Sequence, residues 1–190
     1  MKECEQTQGM SVLEHGESVR DHLFDLIDHL RDGIPLKYEW KLPEWLMGNK
    51  ELFLSSLPND ETLRLYTTYH DIGKPFCLEI DNDGRRHFAH HAEVSYEYFN
   101  RIFDNPNAAQ LILHDMDIHL LKADGVEEFS KNPYSLTLLL TGLAEIHSNS
   151  EMFGGMESTS FKIKYKSIRQ RGKAIIKKIK ERNEKERNEK

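Results

Sequence analysis

A histidine and an aspartate stand side by side at His70 and Asp71, in the segment YHDIGKP. Gly73 and Pro75 follow them, so the pattern predicts that a helix ends here. Adjacent helical residues point about 100° apart, so both side chains reach one ion only at a helix end or with the ion between them. An imidazole beside a carboxylate suits Fe, Mn, Co, Ni or Zn. The pair therefore predicts a metal site, although such a pair alone also fits an ordinary helix C-terminus.

Further metal-binding residue types recur on the predicted inner faces of other helices. Helical spacing places one on each of four helices: His15 in helix 11–32, His91 in helix 91–102, His114 in helix 106–121 and Glu145 in helix 135–149. A single inward histidine is more often a hydrogen-bonded core residue than a ligand. Four histidines and two carboxylates together would be costly to bury unless a bound cation pair satisfied them.

The remaining patterns predict the elements that would position these side chains. Two short runs, 76–80 and 85–88, flank the turn signal DNDG and predict a small hairpin. An irregular connection is expected over 34–49, followed by a helix over 50–57. The polar residues 1–10 are expected to be frayed. The fold class is therefore predicted to be all-α, a helical bundle with a hairpin-like insertion after the His-Asp pair.

Composition limits the class of protein. The 190 residues are 38% apolar and 31% charged, which fits one helical domain with extensions. No run of about 18 apolar residues and no apolar signal core are present, so we expect no membrane contact and a cytoplasmic protein. Neither Cys4 nor Cys77 lies in a CxxC pair, which argues against a thiolate metal site.

The charge is divided unevenly along the chain. Residues 1–159 carry 13 basic and 28 acidic residues, a balance of −15, and residues 160–190 carry 13 and 4, a balance of +9. The acidic body argues against broad nonspecific binding of nucleic acid. After an alternating piece over 161–166, a basic helix is predicted from Ser167. This tail is either a solvated, solubilising end or a contact for RNA or substrate phosphates.

The order of the candidate ligands resembles the HD superfamily of metal-dependent phosphohydrolases. The resemblance covers about residues 10–150 and is strongest to the HD domain of bacterial CCA-adding tRNA nucleotidyltransferases, although no nucleotidyltransferase head precedes it. The matching motifs are LEHGESV at His15, YHDIGKP at His70 and Asp71, FAHHAEVS at His91, LILHDMD at His114 and GLAEIHS at Glu145.

The resemblance implies an HD domain over 1–159, with a basic tail over 160–190. It implies that His15, His70, Asp71 and the final acid hold one divalent metal ion, and that His91 and His114 hold a second. The family's final ligand is usually Asp, whereas the aligned residue here is Glu145. His147 and Asp117 are possible substitutes.

Two divalent cations about 3.5 to 4 Å apart can activate a water against a phosphate ester. The cations considered are Mn, Fe, Co, Ni or Mg, and one or two would bind. Asp71 and Lys74 are the catalytic candidates. Lys74 would contact a phosphate oxygen or the leaving group; alternatively, it is an ordinary positive charge near a helix C-terminus. Arg85 and Arg86 are candidate substrate clamps, or ordinary surface charges.

The predicted function is hydrolysis of a nucleotide or of a nucleic-acid terminal phosphate. The resemblance suggests 2'-nucleotides or 2',3'-cyclic phosphodiesters, with deoxynucleoside triphosphates as a rival substrate. A second hypothesis is a noncatalytic nucleotide- or RNA-binding module that uses the basic tail for docking. A third is a regulatory protein that degrades a cyclic nucleotide signal.

Overall fold

The computed structural model describes residues 1–7 and 9–189. Helices form 66% of the chain and strands 5%, in two small antiparallel hairpins, so the predicted all-α class with a small hairpin insertion is confirmed. Gln8 and Lys190, to which the predictions for the two termini extend, lie outside the described residues. In chain order the described elements are β1 (Glu5–Thr7), β2 (Met10–Ser11), α1 (Val12–Asp32), α2 (Glu44–Met47), α3 (Lys50–Ser56), α4 (Asp60–Tyr69), β3 (Leu78–Ile80), β4 (Arg86–Phe88), α5 (His91–Ile102), α6 (Pro106–Leu113), α7 (Asp117–Leu120), α8 (Val126–Phe129), α9 (Ser135–Ser148) and α10 (Thr159–Asn188).

The chain forms two compact units, each made from two stretches. The first unit contains residues 1–24 and 58–116, and the second contains residues 25–57 and 117–190. The predicted boundary at residue 159, between an HD domain and a tail, stays a prediction.

In the first unit, α4 and α5 both pack against α6. The core side chains Leu63, Tyr66 and Phe99 are buried here because apolar residues recur every three or four positions along each helix. The side chains of Asn59 and Asn105 cap the amino ends of α4 and α6 by accepting hydrogen bonds from backbone N–H groups. Both caps follow from the Asn and Pro signals in the sequence.

The predicted hairpin after the His-Asp pair is present. Strands β3 and β4 are antiparallel, with Leu78 opposite Phe88 and Ile80 opposite Arg86. Gly84 closes the turn with a φ of 75°, a conformation that favours glycine.

The prediction that residues 1–10 are frayed is wrong for residues 5–7 and for Met10. Strands β1 and β2 form an antiparallel pair, and the backbone N–H of Val12 donates to the carbonyl oxygen of Cys4 at 2.8 Å. Gln6 also accepts a hydrogen bond from Lys74, and Glu5 accepts hydrogen bonds from Arg86.

The single helix predicted over 106–121 is interrupted. Helix α6 ends at Leu113, and α7 begins only at Asp117. Between them Asp115 is buried, and its carboxylate accepts a hydrogen bond from the hydroxyl of Tyr66 at 2.5 Å. A buried carboxylate needs donors, and this one finds a donor on α4 within the same unit.

The second unit is built around α9, which is buried on nearly all sides as its composition predicts. Helix α10 packs against α8 and α9 through Phe161, Ile168 and Ile175. The alternating piece over 161–166 is therefore helical, which corrects the sequence prediction. Its strand-like pattern is overridden because Phe161 and Ile168, seven residues apart, share the buried face of one helix.

The irregular connection after α1 is fixed to the second unit by side chains. The buried carboxylate of Asp25 accepts hydrogen bonds from the backbone N–H of Lys37 and from the indole Nε1 of Trp40. Trp45 donates its indole N–H to the carbonyl oxygen of Arg169 on α10 at 2.9 Å. Across the described helices, none is at once long enough and apolar enough to cross a membrane.

Candidate functional site

Helix α4 and the turn after it position the His-Asp pair. The helix ends at Tyr69, and His70 and Asp71 follow in a tight turn, as predicted. Both are buried, with 3% and 2% of their surface exposed. The Nδ1 atom of His70 lies 2.8 Å from the carbonyl oxygen of Thr67. A carbonyl oxygen can only accept, so Nδ1 carries a proton and donates it to Thr67.

Helix α1 supplies a second imidazole. His15 is fully buried, and its Nε2 lies 3.6 Å from Oδ2 of Asp71. The neighbouring glycine makes this approach possible, because a Cβ on Gly16 would overlap the backbone carbonyl of Thr68. Gly16 therefore sets how closely α1 can approach α4. Gly16 is part of the motif LEHGESV, but the spacing of the residues in the sequence does not reveal this role.

Helix α5 supplies a third imidazole. His91 is its first residue, with Nδ1 3.1 Å from the carbonyl oxygen of Phe88 and Nε2 3.6 Å from Oδ1 of Asp71. The turn after Asp71 lies directly on this helix, since a Cβ on Gly73 would overlap the backbone of Ser95. The N–H of Gly73 also donates to the hydroxyl of Ser95 at 2.9 Å. Sequence reasoning assigned Gly73 only to the helix end and did not find Ser95.

The geometry around Asp71 fits a metal ion. The Nε2 atoms of His15, His70 and His91 lie 3.6, 3.3 and 3.6 Å from its carboxylate oxygens. The two 3.6 Å separations exceed ordinary hydrogen bonds. Two ligand atoms that each lie about 2.1 Å from one ion at the tetrahedral angle are about 3.4 Å apart. Nitrogens of His15 and His70 also belong to a group of ligand atoms, within 4.8 Å of one another, that could hold a metal ion.

Lys74 adds a positive charge to this cluster. Its Nζ lies 2.6 Å from Oδ2 of Asp71 and 2.9 Å from Oε1 of Gln6, and it sits 5.3 Å from the ring centre of Phe88. Burial by itself would raise the pKa of Asp71. The charges of His70 and Lys74 outweigh burial and hold this pKa well below its usual range. Asp71 is therefore an anion at neutral pH, the form that binds cations.

The two candidate arginines lie on the hairpin. The guanidinium of Arg86 bonds to the carboxylate of Glu5 at 2.5 Å and to its backbone carbonyl at 3.2 Å. Arg85 is exposed on the turn, where its backbone N–H donates to the carboxylate of Asp81. Arg86 thus ties the hairpin β3–β4 to β1.

The two remaining predicted ligands belong to different units. His114 is half-buried at the carboxyl end of α6 in the first unit. Glu145 lies on α9 in the second unit, where its Oε2 is 2.7 Å from Nε2 of His119. The assignment of His114 and Glu145 as ligands stays a prediction.

The two possible substitutes for Glu145 also lie in the second unit. His147 is buried, with Nε2 accepting from the backbone N–H of Lys41 and Nδ1 donating to the carbonyl oxygen of Leu143. Both ring nitrogens are thereby used for structure, so His147 has neither left for a metal. Asp117 is exposed at the start of α7.

No protein family, curated protein or solved structure gives a significant match to this chain. The resemblance to the HD superfamily therefore depends on the motifs in the sequence.

Proposed function

We propose that this chain is a cytoplasmic, divalent-metal-dependent phosphohydrolase of the HD type, acting on a nucleotide or a nucleic-acid end with water as the nucleophile. One observation carries the proposal. Three imidazole nitrogens, from His15, His70 and His91, lie within 3.6 Å of the carboxylate of one buried aspartate, Asp71. Purely structural histidines seldom converge in this way, because each would need its own hydrogen-bond partner.

His15, His70, Asp71 and His91 would hold the cation, and His114 and Glu145 complete the predicted set. When bound, one or two divalent cations supply a water of lowered pKa and neutralise the phosphate oxygens. The backbone carbonyls of Thr67 and Phe88 orient two of the imidazoles, as partners outside the ligand set commonly do.

Lys74 is proposed to contact the substrate. An ammonium group has three donors, and two of them point to Asp71 and Gln6. Among the described contacts, one donor remains for a nonbridging phosphate oxygen or for the leaving group. A buried cation at this position stabilises the charge that develops during phosphate transfer.

The rival proposal is a noncatalytic nucleotide- or RNA-binding module. A specific feature favours it: exposed lysines recur at helical spacing along α10, at Lys162, Lys166, Lys173, Lys177 and Lys180. Cations spaced along one helix face can neutralise successive phosphates of a nucleic-acid backbone.

The test measures bound metal and hydrolysis together. Purified protein is analysed for trace metals and assayed with Mn, Co, Ni and Mg on a panel of 2'-nucleotides, 2',3'-cyclic nucleotides and deoxynucleoside triphosphates. We expect His70→Ala, Asp71→Ala and His91→Asn to lose the bound metal. Their hydrolysis rate should fall at least about 100-fold, as is typical when a group that stabilises the transition state is removed.

A matched control is the adjacent histidine. His90 is exposed and has a φ of 55°, a conformation that Asn tolerates, so His90→Asn should retain both metal and activity. No turnover of any nucleotide with any of these metals would contradict catalysis. Retained RNA binding without turnover, lost when the exposed Lys166, Lys173 and Lys177 are replaced by Glu, would favour the binding module.

A further inference from the structure

An exposed aromatic ring lies next to the candidate phosphate-binding lysine. Phe76 ends the short 3-10 turn that starts at Lys74, and 59% of its surface is exposed. The same turn carries the buried ammonium at one end and this open ring at the other. Sites that bind single-stranded nucleic acid combine positive charge for the phosphates with aromatic rings on which the bases stack, and this turn carries one of each.

Phe76 is held in a fixed orientation from behind. Its ring stacks on Tyr98 of α5 with the centroids 3.8 Å apart and the planes within 4° of parallel. The guanidinium of Arg101 lies 4.9 Å from the ring centre of Tyr98. Tyr98 therefore covers one face of Phe76, and the exposure of Phe76 belongs to the opposite face and the ring edge.

Helix α5 contacts both this ring and the cluster around Asp71. His91, Ser95 and Tyr98 follow each other at four and three residues, so they lie on one face of the helix. His91 contacts Asp71, Ser95 contacts Gly73 and Tyr98 contacts Phe76. His91 and Tyr98 are seven residues apart, about 10 Å along the helix axis. One face of α5 therefore carries the contacts of both Asp71 and Phe76.

We propose that the open face of Phe76 is a stacking site for a nucleobase, a proposal that rests on the phosphohydrolase function proposed above. The substrate is then a nucleoside phosphate or a nucleic-acid terminus with its last base unpaired. Its phosphate lies at Lys74 and the cluster around Asp71, and its base lies on Phe76. A flat ring that is stacked in advance loses little entropy on binding a second flat ring.

The probe is 2-aminopurine riboside 5'-monophosphate, whose fluorescence is quenched when its base stacks on an aromatic ring. It is titrated into the full chain with and without Mn, and ribose 5-phosphate serves as the ligand without a base. We expect the wild-type protein to quench the probe and Phe76→Trp to retain the quenching. Phe76→Ala and Phe76→Leu should remove it and weaken binding about 5- to 150-fold, the range measured for stacked bases. Binding of ribose 5-phosphate should not change.

The matched control is Ile102→Ala, since Ile102 is similarly exposed, at 62%, and lies on α5, the helix that carries Tyr98. It should leave probe binding unchanged. Absence of probe binding to the wild-type protein, equal affinity for Phe76→Ala, or full rescue by Phe76→Leu would each overturn the stacking site. So would a change in oligomeric state on Phe76→Ala, because the ring would then belong to an interface between copies of the chain.

Failure of this proposal differs from failure of the proposed function. If nucleotides are hydrolysed and Phe76→Ala leaves KM unchanged, the stacking site is wrong and the phosphohydrolase stands. If no nucleotide is hydrolysed but quenching depends on Phe76, the nucleobase site stands and the catalytic proposal is wrong.

Discussion

The α carbon of Gly16 lies against the backbone carbonyl of Thr68, with no room between them for a Cβ. This contact joins the helix that carries His15 to the helix that precedes His70, so the distance between these two imidazoles depends on it. Backbone cannot move aside as a flexible side chain can.

We expect Gly16→Ala to destabilise the protein by about 1 to 3 kcal/mol, the usual cost of overpacking. For a chain of this size the expected fall in Tm is about 2 to 12 °C. Metal affinity should fall as well, because His15 is displaced from Asp71. Calorimetry and metal titration measure the two effects. Gly48→Ala is the control, because a Cβ at Gly48 meets no atom within 4 Å. A neutral effect of Gly16→Ala would contradict the close approach.

Arg86 is expected to be structural, since its guanidinium already bonds to Glu5. Exposed ion pairs contribute about 0 to 1 kcal/mol, so Arg86→Ala should speed hydrogen exchange in β1 and β2 by up to about fivefold. KM should stay within about twofold of the wild type. Arg85→Ala, on the same turn, should leave the exchange of these strands unchanged. A large rise in KM with unchanged exchange would instead identify Arg86 as a substrate clamp.

A substitution at Glu145 tests whether this residue is a metal ligand or only a structural partner of His119. The resemblance assigns Glu145 to the metal, so Glu145→Gln should lower metal affinity at least about tenfold. Even the mutation of a residue that only orients a ligand typically lowers metal affinity by that much. Glu151→Gln is the control on an exposed acid nearby in sequence. If metal affinity is unchanged and only Tm falls, Glu145 serves the ion pair with His119, and its assignment as a ligand is wrong.

Glu157 should contribute to acid sensitivity. Hydrogen bonds from Lys41 and Lys162 lower its pKa from 4.5 to about 2. A pKa that is lower in the folded state stabilises the protein above the unfolded value, and the contribution is lost as the pH falls from about 4.5 toward 2. Urea midpoints at pH 7 and pH 3 should therefore differ less for Glu157→Gln than for the wild type. High salt should shrink the effect, because the carboxylate is exposed. An unchanged difference would contradict the prediction.

Local sequence signals predicted the parts of the fold that local physics decides. The buried stripe of α1, the caps at Asn59 and Asn105 and the turn at Gly84 each follow from residues within a few positions of one another. The burial of His15 and His70 followed from helical spacing in the same way. Their grouping around one carboxylate came from the resemblance, because spacing alone gives no distances between helices.

Tertiary contacts decided what the sequence left out. The break between α6 and α7 occurs where buried Asp115 meets Tyr66, a partner 49 residues away. The segment from Phe161 is helical because its apolar residues pack on α9. The close contacts of Gly16 and Gly73 depend on backbone from another helix, which no local pattern encodes. Likewise, the partners Gln6 and Glu5 come from a segment expected to be frayed.

Because of where the two indoles lie, tryptophan fluorescence can follow the unfolding of one unit separately from that of the other. The chain has two tryptophans, Trp40 and Trp45, and both lie in the unit formed by residues 25–57 and 117–190. Their emission reports melting of that unit, whereas Asp71 and the three imidazoles around it belong to the other unit. If loss of bound ion comes at a lower temperature than the change in emission, the candidate centre can open while the indole-bearing unit stays folded.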